Sequence, residues 1–124
     1  MAEEWSVLDE ERVVSVEEAV ARVSTSVDDG MMTTYFRSDL GRRLLFVSNG
    51  TRAMVVLMSG EGDPGEHAVS PDAVGSSAGY VLENGQEDTY EDADTIPLGE
   101  ALTALRSIID SGRPAPGTSW SVDQ

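Results

Sequence analysis

Six carboxylates crowd one short stretch of this chain. In YVLENGQEDTYEDADTIPL, residues 80–98, Glu83, Glu87, Asp88, Glu91, Asp92 and Asp94 fall within twelve positions, and no basic residue interrupts them. Carboxylates at such density can ligate a cation, divide into a general acid and a general base, or present a negative surface to a cationic partner. The pattern argues against the first. Nothing matches the alternating ligands and distal glutamate of a calcium loop, and on a strand Glu87, Thr89 and Glu91 would face one way while Asp88, Tyr90 and Asp92 face the other. No metal site is expected.

An acid–base pair would need a cleft in which burial raises one of two carboxyl pKa values, and the sequence gives no sign of one. His67 is the single histidine. Alone it could serve only as a general base, and no G-x-S-x-G turn supplies a nucleophile beside it. The glycines of GEGDPG lack the G-K-[ST] ending of a phosphate loop, and their acidic neighbours would repel phosphate. No catalytic residue and no cofactor are expected. What stands is a binding surface made of Glu83, Glu87, Asp88, Glu91, Asp92 and Asp94. Tyr90 sits among them as an aromatic anchor, or as a tyrosine placed there by β-propensity alone.

Those residues must be held by a fold. Asn84-Gly85 reads as the two-residue turn of a hairpin joining GYVLE to QEDTYE, whose polar return strand suits an exposed sheet edge. An earlier Asn49-Gly50 divides RRLLFVSNGTRAMVVLM into two apolar strands, with Phe46 expected opposite Ala53 and Leu44 opposite Val55. Both faces of that hairpin are apolar, so it belongs in mid-sheet, with MMTTYFR (31–37) as a neighbour. The segments SGEGDPGE and PDAVGSSAG read as loops, Ser76 and Ser77 included.

Two helices complete the set. Ser15 and Glu18 form an S-x-x-E capping box, followed by Val16, Ala19, Val20, Val23 and Val27 at helical spacing. Valines make a weak helix, so this one must pack on something larger. The second helix enters through Pro97, carries Leu98, Ala101, Leu102, Leu105, Ile108 and Ile109 on one stripe, and closes at Gly112 before Pro114. Trp120 lies in a short final strand, and both Trp5 and Trp120 are expected in the core or at a sheet edge. The order strand, helix, four to six strands, helix, strand makes an α+β domain over residues 1–124. An antiparallel sheet of about five to seven strands would carry two helices on one face.

Composition narrows the partner. The net charge is −15, from 23 acidic against 8 basic residues, all arginine. Such a chain repels nucleic acid and anionic membranes and attracts a basic protein, unless the acidity serves only solubility. The absence of cysteine and the acidic start MAEEWSVLDEE lead to the expectation of a cytoplasmic protein without a secretory leader. The Asn49-Gly50-Thr51 sequon would then stay unmodified.

The C-terminal third is similar to the end of a known family. ENGQ, an acidic link and TIPLGEALTALRSIIDSGRPAPGTSW resemble the immunity proteins of bacterial polymorphic toxin systems, in the family often encoded beside nucleic-acid deaminase toxins. The matching features fall on Asn84, Gly85 and Gln86; on Ile96, Pro97 and Leu98; on Ala101 and Leu102; on Gly112, Arg113 and Pro114; and on Trp120. The resemblance covers residues 80–120. It implies an inhibitor without catalysis that binds a cognate basic toxin domain and protects the cell that makes it. Two other readings stay open: a generic acidic interaction module with no toxin partner, and a small hydrolase using His67 with one of the acids.

Overall fold

Alternation along the strands gives the sheet two faces, one buried beneath the helices and one that mixes apolar side chains such as Leu45, Val47, Met54 and Val56 with polar ones. The computed structural model describes residues 4–7, 12–28, 33–60, 63, 65–81, 85–113 and 118–122. Its elements are β1 (Trp5–Val7), α1 (Val16–Asp28), β2 (Thr33–Ser38), β3 (Arg43–Ser48), β4 (Arg52–Met58), β5 (Glu66–Val69), β6 (Ser76–Val81), β7 (Glu87–Glu91), β8 (Ile96–Pro97), α2 (Leu98–Ser111) and β9 (Ser119–Val122), with a single 3-10 turn at Asp92–Asp94. Seven strands form one antiparallel sheet in the order β1-β2-β3-β4-β5-β9, and β8 pairs with β4 at the end that β5 does not reach. The α+β expectation holds, with more strands between the helices than the four to six read from the sequence.

Both helices cover one face. Phe36, Leu44, Phe46, Ala53, Val55 and Leu57 point there from β2, β3 and β4, and they are buried together with Ala19 and Val23 of α1 and Ala101, Leu105, Ile108 and Ile109 of α2. Trp5, on the edge strand β1, is 1% exposed within this cluster, while Trp120 on β9 is partly buried against it. Helix α1 starts where its sequence says: Glu18 N–H donates to Ser15 Oγ at 3.1 Å, and Ser15 N–H donates to Glu18 Oε1 at 3.2 Å. Helix α2 ends at Gly112, whose φ of 77° only glycine adopts without strain, and Gly112 N–H donates to Ile108 O at 2.8 Å. Pro114 lies outside the described residues, as do Met31 and Met32 of the proposed neighbour strand.

The central hairpin is where expected but in a different register. Ser48 pairs with Ala53, Phe46 with Val55 and Leu44 with Leu57, so the turn centres on Gly50-Thr51 and not on Asn49-Gly50. The cause is the Asn49 side chain, whose Oδ1 accepts from Thr51 N–H at 3.0 Å and Arg52 N–H at 2.8 Å. Ser48 Oγ adds bonds to Gly50 N–H and Arg52 O. An Asx-type loop thereby replaces the two-residue turn. The shift moves each partner by two residues, which preserves which side chains share a face.

The second hairpin requires a larger correction. Strands β6 and β7 do not extend the main sheet; they form a two-stranded sheet of their own. Ser76 and Ser77 belong to β6 and not to a loop. The pair lies over the face opposite the helices: Thr33 Oγ1, on that face, donates to Val81 O at 2.6 Å, and Asn49 Nδ2 donates to Ala78 O at 3.1 Å. A bulge between Ser77 and Tyr80 bends β6, with Gly79 at a φ of 91° where a side chain would be strained. Below it Tyr80 is fully buried. Among the described residues, no helix is long and apolar enough to cross a membrane.

Candidate partner-binding surface

Arg52 organises the acidic segment. It opens β4 immediately after the Asn49 loop, opposite Pro97 of β8, and projects onto the face away from the helices. Its Nε–H donates to Thr95 Oγ1 at 2.8 Å, and its Nη2 reaches Ser70 Oγ at 3.1 Å, Asp92 O at 3.0 Å and Thr95 O at 3.0 Å. Ser70 Oγ in turn donates to Thr95 O at 2.7 Å. Thr95 is fully buried and the arginine side chain is only 19% exposed, so the network replaces the water these groups lose. Only the planar, five-donor guanidinium serves that many acceptors from one position. The link from β7 to β8 is thereby fastened to β4 and β5.

The carboxylates consequently have different fates. Asp92 accepts from Ser77 Oγ at 2.6 Å and lies 3.8 Å from Arg52 Nε. Asp94 Oδ1 stands 3.1 Å from His67 Nε2, joining the 3-10 turn to β5. Asp88 accepts from Gln86 Nε2 at 2.8 Å and from the Tyr90 hydroxyl at 3.3 Å. Glu87 and Glu91 are exposed on the outer side of β7 with Thr89, the alternation read from the sequence. Glu83 lies outside the described residues, as does Asn84 of the turn expected from the sequence.

Tyr90 is half-buried. Its ring packs on Tyr80 with centroids 4.8 Å apart and planes tilted by 57°. Burial pushes the pKa of both phenols up, and the Asp88 carboxylate beside Tyr90 pushes in the same direction. The apolar side chain that does stand out is Val74, 91% exposed in the loop between β5 and β6. That loop carries exposed Asp72 and is tied to the acidic link through Ser70 N–H to Ala93 O at 2.8 Å and Asp92 N–H to Gly75 O at 3.0 Å. Between Arg52 and Arg106 the sequence has no arginine or lysine at all. The surface of β7 and its flanking loop therefore exposes Glu87, Glu91, Asp72 and Val74, with no basic side chain from its own segment to neutralise the acids.

His67 Nε2 faces Asp94, and the hydroxyls of Ser70 and Ser77 donate to Thr95 O and Asp92. Two cavities of about 320 and 310 Å³ lie elsewhere, one near Arg42, Asp63 and Glu66, the other near Glu4, Arg37 and Asp39. Among the described residues, no group of histidine and carboxylate side chains is arranged to hold a metal ion. No family model matches the chain, and no curated protein matches it.

Sequence reasoning missed two participants. Arg52 gave no local signal, because its partners lie at Ser70, Asp92 and Thr95. Val74 was readable in principle as a lone apolar residue in a loop of small and acidic ones, within the base-free interval that the sequence displays.

Proposed function

We propose that this protein is a bacterial immunity protein that binds and neutralises a cognate basic toxin domain, one that acts on nucleic acid. It works in the cytoplasm of the cell that makes the toxin and performs no catalysis of its own. The carrying observation is the outer surface of β7, where Glu87 and Glu91 stand exposed on a hairpin that Arg52 fastens to the main sheet. A toxin that acts on nucleic acid needs a basic channel, and a negative surface on a rigid support can occupy it with little ordering cost. The likeness of residues 80–120 to immunity proteins supports the same reading. Engaged as they are in internal bonds, Asp88, Asp92 and Asp94 shape this surface and add to its field, while Glu87 and Glu91 are assigned to direct contact; Glu83, outside the described residues, is included on its sequence position alone.

The test is co-expression with the product of the adjacent reading frame, followed by co-purification and a cell-protection assay. A stable complex, weakened by Glu87→Gln/Glu91→Gln in a chain that still folds, is the expected result. No complex with the neighbouring product would leave the domain as a generic acidic interaction module.

A further inference from the structure

Acid and base are segregated across the main sheet. The arginines of its strands, Arg37, Arg43 and Arg52, all project to the face away from the helices, whereas its one strand carboxylate, Glu66, pairs opposite Leu57 and points to the helix side. Arg52 is committed to the acidic link. Arg37 and Arg43 are not: among the described residues, neither guanidinium makes an ion pair or a hydrogen bond. They nevertheless stand directly opposite one another in the β2–β3 register, which sets their Cβ atoms about 5 Å apart, and like charges so placed oppose strand pairing. The nearby carboxylates are engaged elsewhere or held apart. Glu4 and Asp39 line a cavity with Arg37 without pairing to it, and Asp39 Oδ1 accepts from Glu4 N–H at 3.1 Å. Asp63 accepts from Ser59 N–H at 2.8 Å and Gly65 N–H at 3.1 Å. Beside the arginines, Tyr35, Leu45, Val56 and Met58 are half-buried on the same face.

We infer that Arg37 and Arg43 form a second contact for the partner proposed above, a clamp that receives a carboxylate side chain of that protein; this assignment rests on the proposed function. Two guanidiniums side by side, each without a counter-ion, are matched by one carboxylate, whose two oxygens can accept from both. The clamp lies on the same side of the sheet as the acidic hairpin. Thr33, where the hairpin is tied through Val81 O, is four residues along β2 from Arg37, a span of about 13 Å at the rise of a strand. One partner surface can therefore reach both, basic where it meets Glu87 and Glu91 and acidic where it meets the arginines. Charge decides between occupants. A phosphate backbone is repelled by the net charge of −15 and by Glu87 and Glu91 on this side, and a second copy brings the same −15 with it. A protein that is basic overall is attracted, and it needs only one carboxylate in the right place. Contacts of opposite polarity at the two ends fix its orientation and reject basic proteins that lack the matching acid.

The test is the dissociation rate of the complex with the product of the adjacent reading frame, for the parent, for Arg37→Gln/Arg43→Gln and for Arg106→Gln/Arg113→Gln. The last pair is a control that removes the same charges at exposed positions on and just after α2. Net charge and direct contact predict opposite signs. Both variants are more acidic than the parent, which by long-range attraction alone would tighten a complex with a basic protein. Arg37→Gln/Arg43→Gln should instead dissociate at least about tenfold faster, because a carboxylate in the partner is left unpaired, while the control stays near the parent rate. The free Arg37→Gln/Arg43→Gln protein should have a denaturation midpoint no lower than the control's, since a like-charge pair has been relieved. A complex from which this variant dissociates no faster than the control would overturn the inference and leave the proposed function standing; absence of any complex with the parent would remove both. A midpoint below the control's would assign the arginines to the fold, and a dimer of the free parent that the variant loses would assign them to a second copy. Either result overturns the clamp.

Discussion

The two faces of the main sheet are closed by different physics. On the helix side, apolar side chains from β2, β3 and β4 meet α1 and α2 without water. On the opposite side a two-stranded hairpin and a 3-10 turn are joined to the sheet by the Arg52 network, a His–Asp contact and bonds from Thr33 and Asn49, over the buried Val47 and Tyr80. The first closure is many small contacts and tolerates local loss; the second concentrates its strength in a few directional bonds. The acidic surface rests on the second. A surface of like charges repels itself, so it must be fixed from beneath, and Arg52 supplies the fastening.

The largest expected effect breaks the dry face. Leu105→Ala, at a fully buried position, should cost about 3 kcal/mol through lost burial and the cavity left behind, seen as a lower denaturation midpoint. Next, Arg52→Ala should cost about 2 kcal/mol, because the carbonyls of Asp92 and Thr95 and the hydroxyl of Ser70 lose their charged donor. The two differ in location. Amide exchange after Arg52→Ala should rise in β6, β7 and the 92–95 link while α2 stays protected, and Arg52→Lys should recover less than half the loss, since an ammonium cannot span these acceptors.

Alkaline titration separates the faces without mutation. Tyr80 and Tyr90 have pKa values raised above the ordinary 10.0 by burial, so the fold holds their protons more tightly than the unfolded chain does. Their contribution is complete below the unfolded value and is lost as pH rises through the folded one, so stability should fall above pH 10. Tyrosine ionisation should come late and coincide with loosening of the hairpin, followed by absorbance at the phenolate band. The smallest effect belongs to the cap of α1: Ser15→Ala should cost about 1 kcal/mol or less, and helicity of α1 should decline as acid protonates Glu18. Backbone and side-chain bonds from Ser15 hold the Glu18 carboxyl below its usual range, so this loss comes only as pH falls through that lowered value.

Legibility in the sequence followed the range of each interaction. The ends of both helices were readable because Ser15 with Glu18, and Gly112 with the preceding turn, are neighbours in the chain. The faces of β3 and β4 were readable from alternation. The register was not, because Asn49 could direct either a two-residue turn or an Asx loop, and the side-chain bonds that decide lie outside a dipeptide rule. The hairpin of β6 and β7 was recognised, but its place over the open face depends on Thr33, Asn49 and the buried Tyr80, far away in sequence. Of the candidate surface, the alternation of Glu87, Thr89 and Glu91 was legible. That Asp92 and Asp94 serve internal bonds was not, since Ser77, Arg52 and His67 had to be brought to them by the fold.

The most direct measurement is the association rate with the product of the adjacent reading frame across a salt series, for the parent and for Glu87→Gln/Glu91→Gln. Asp92 and Asp94 stay unchanged, so the hairpin keeps its supports and the comparison reads charge alone. Electrostatic steering by Glu87 and Glu91 predicts a fast rate for the parent that falls steeply with salt, and a slower, flatter dependence for the double variant. Identical, salt-independent rates for the two proteins would contradict it.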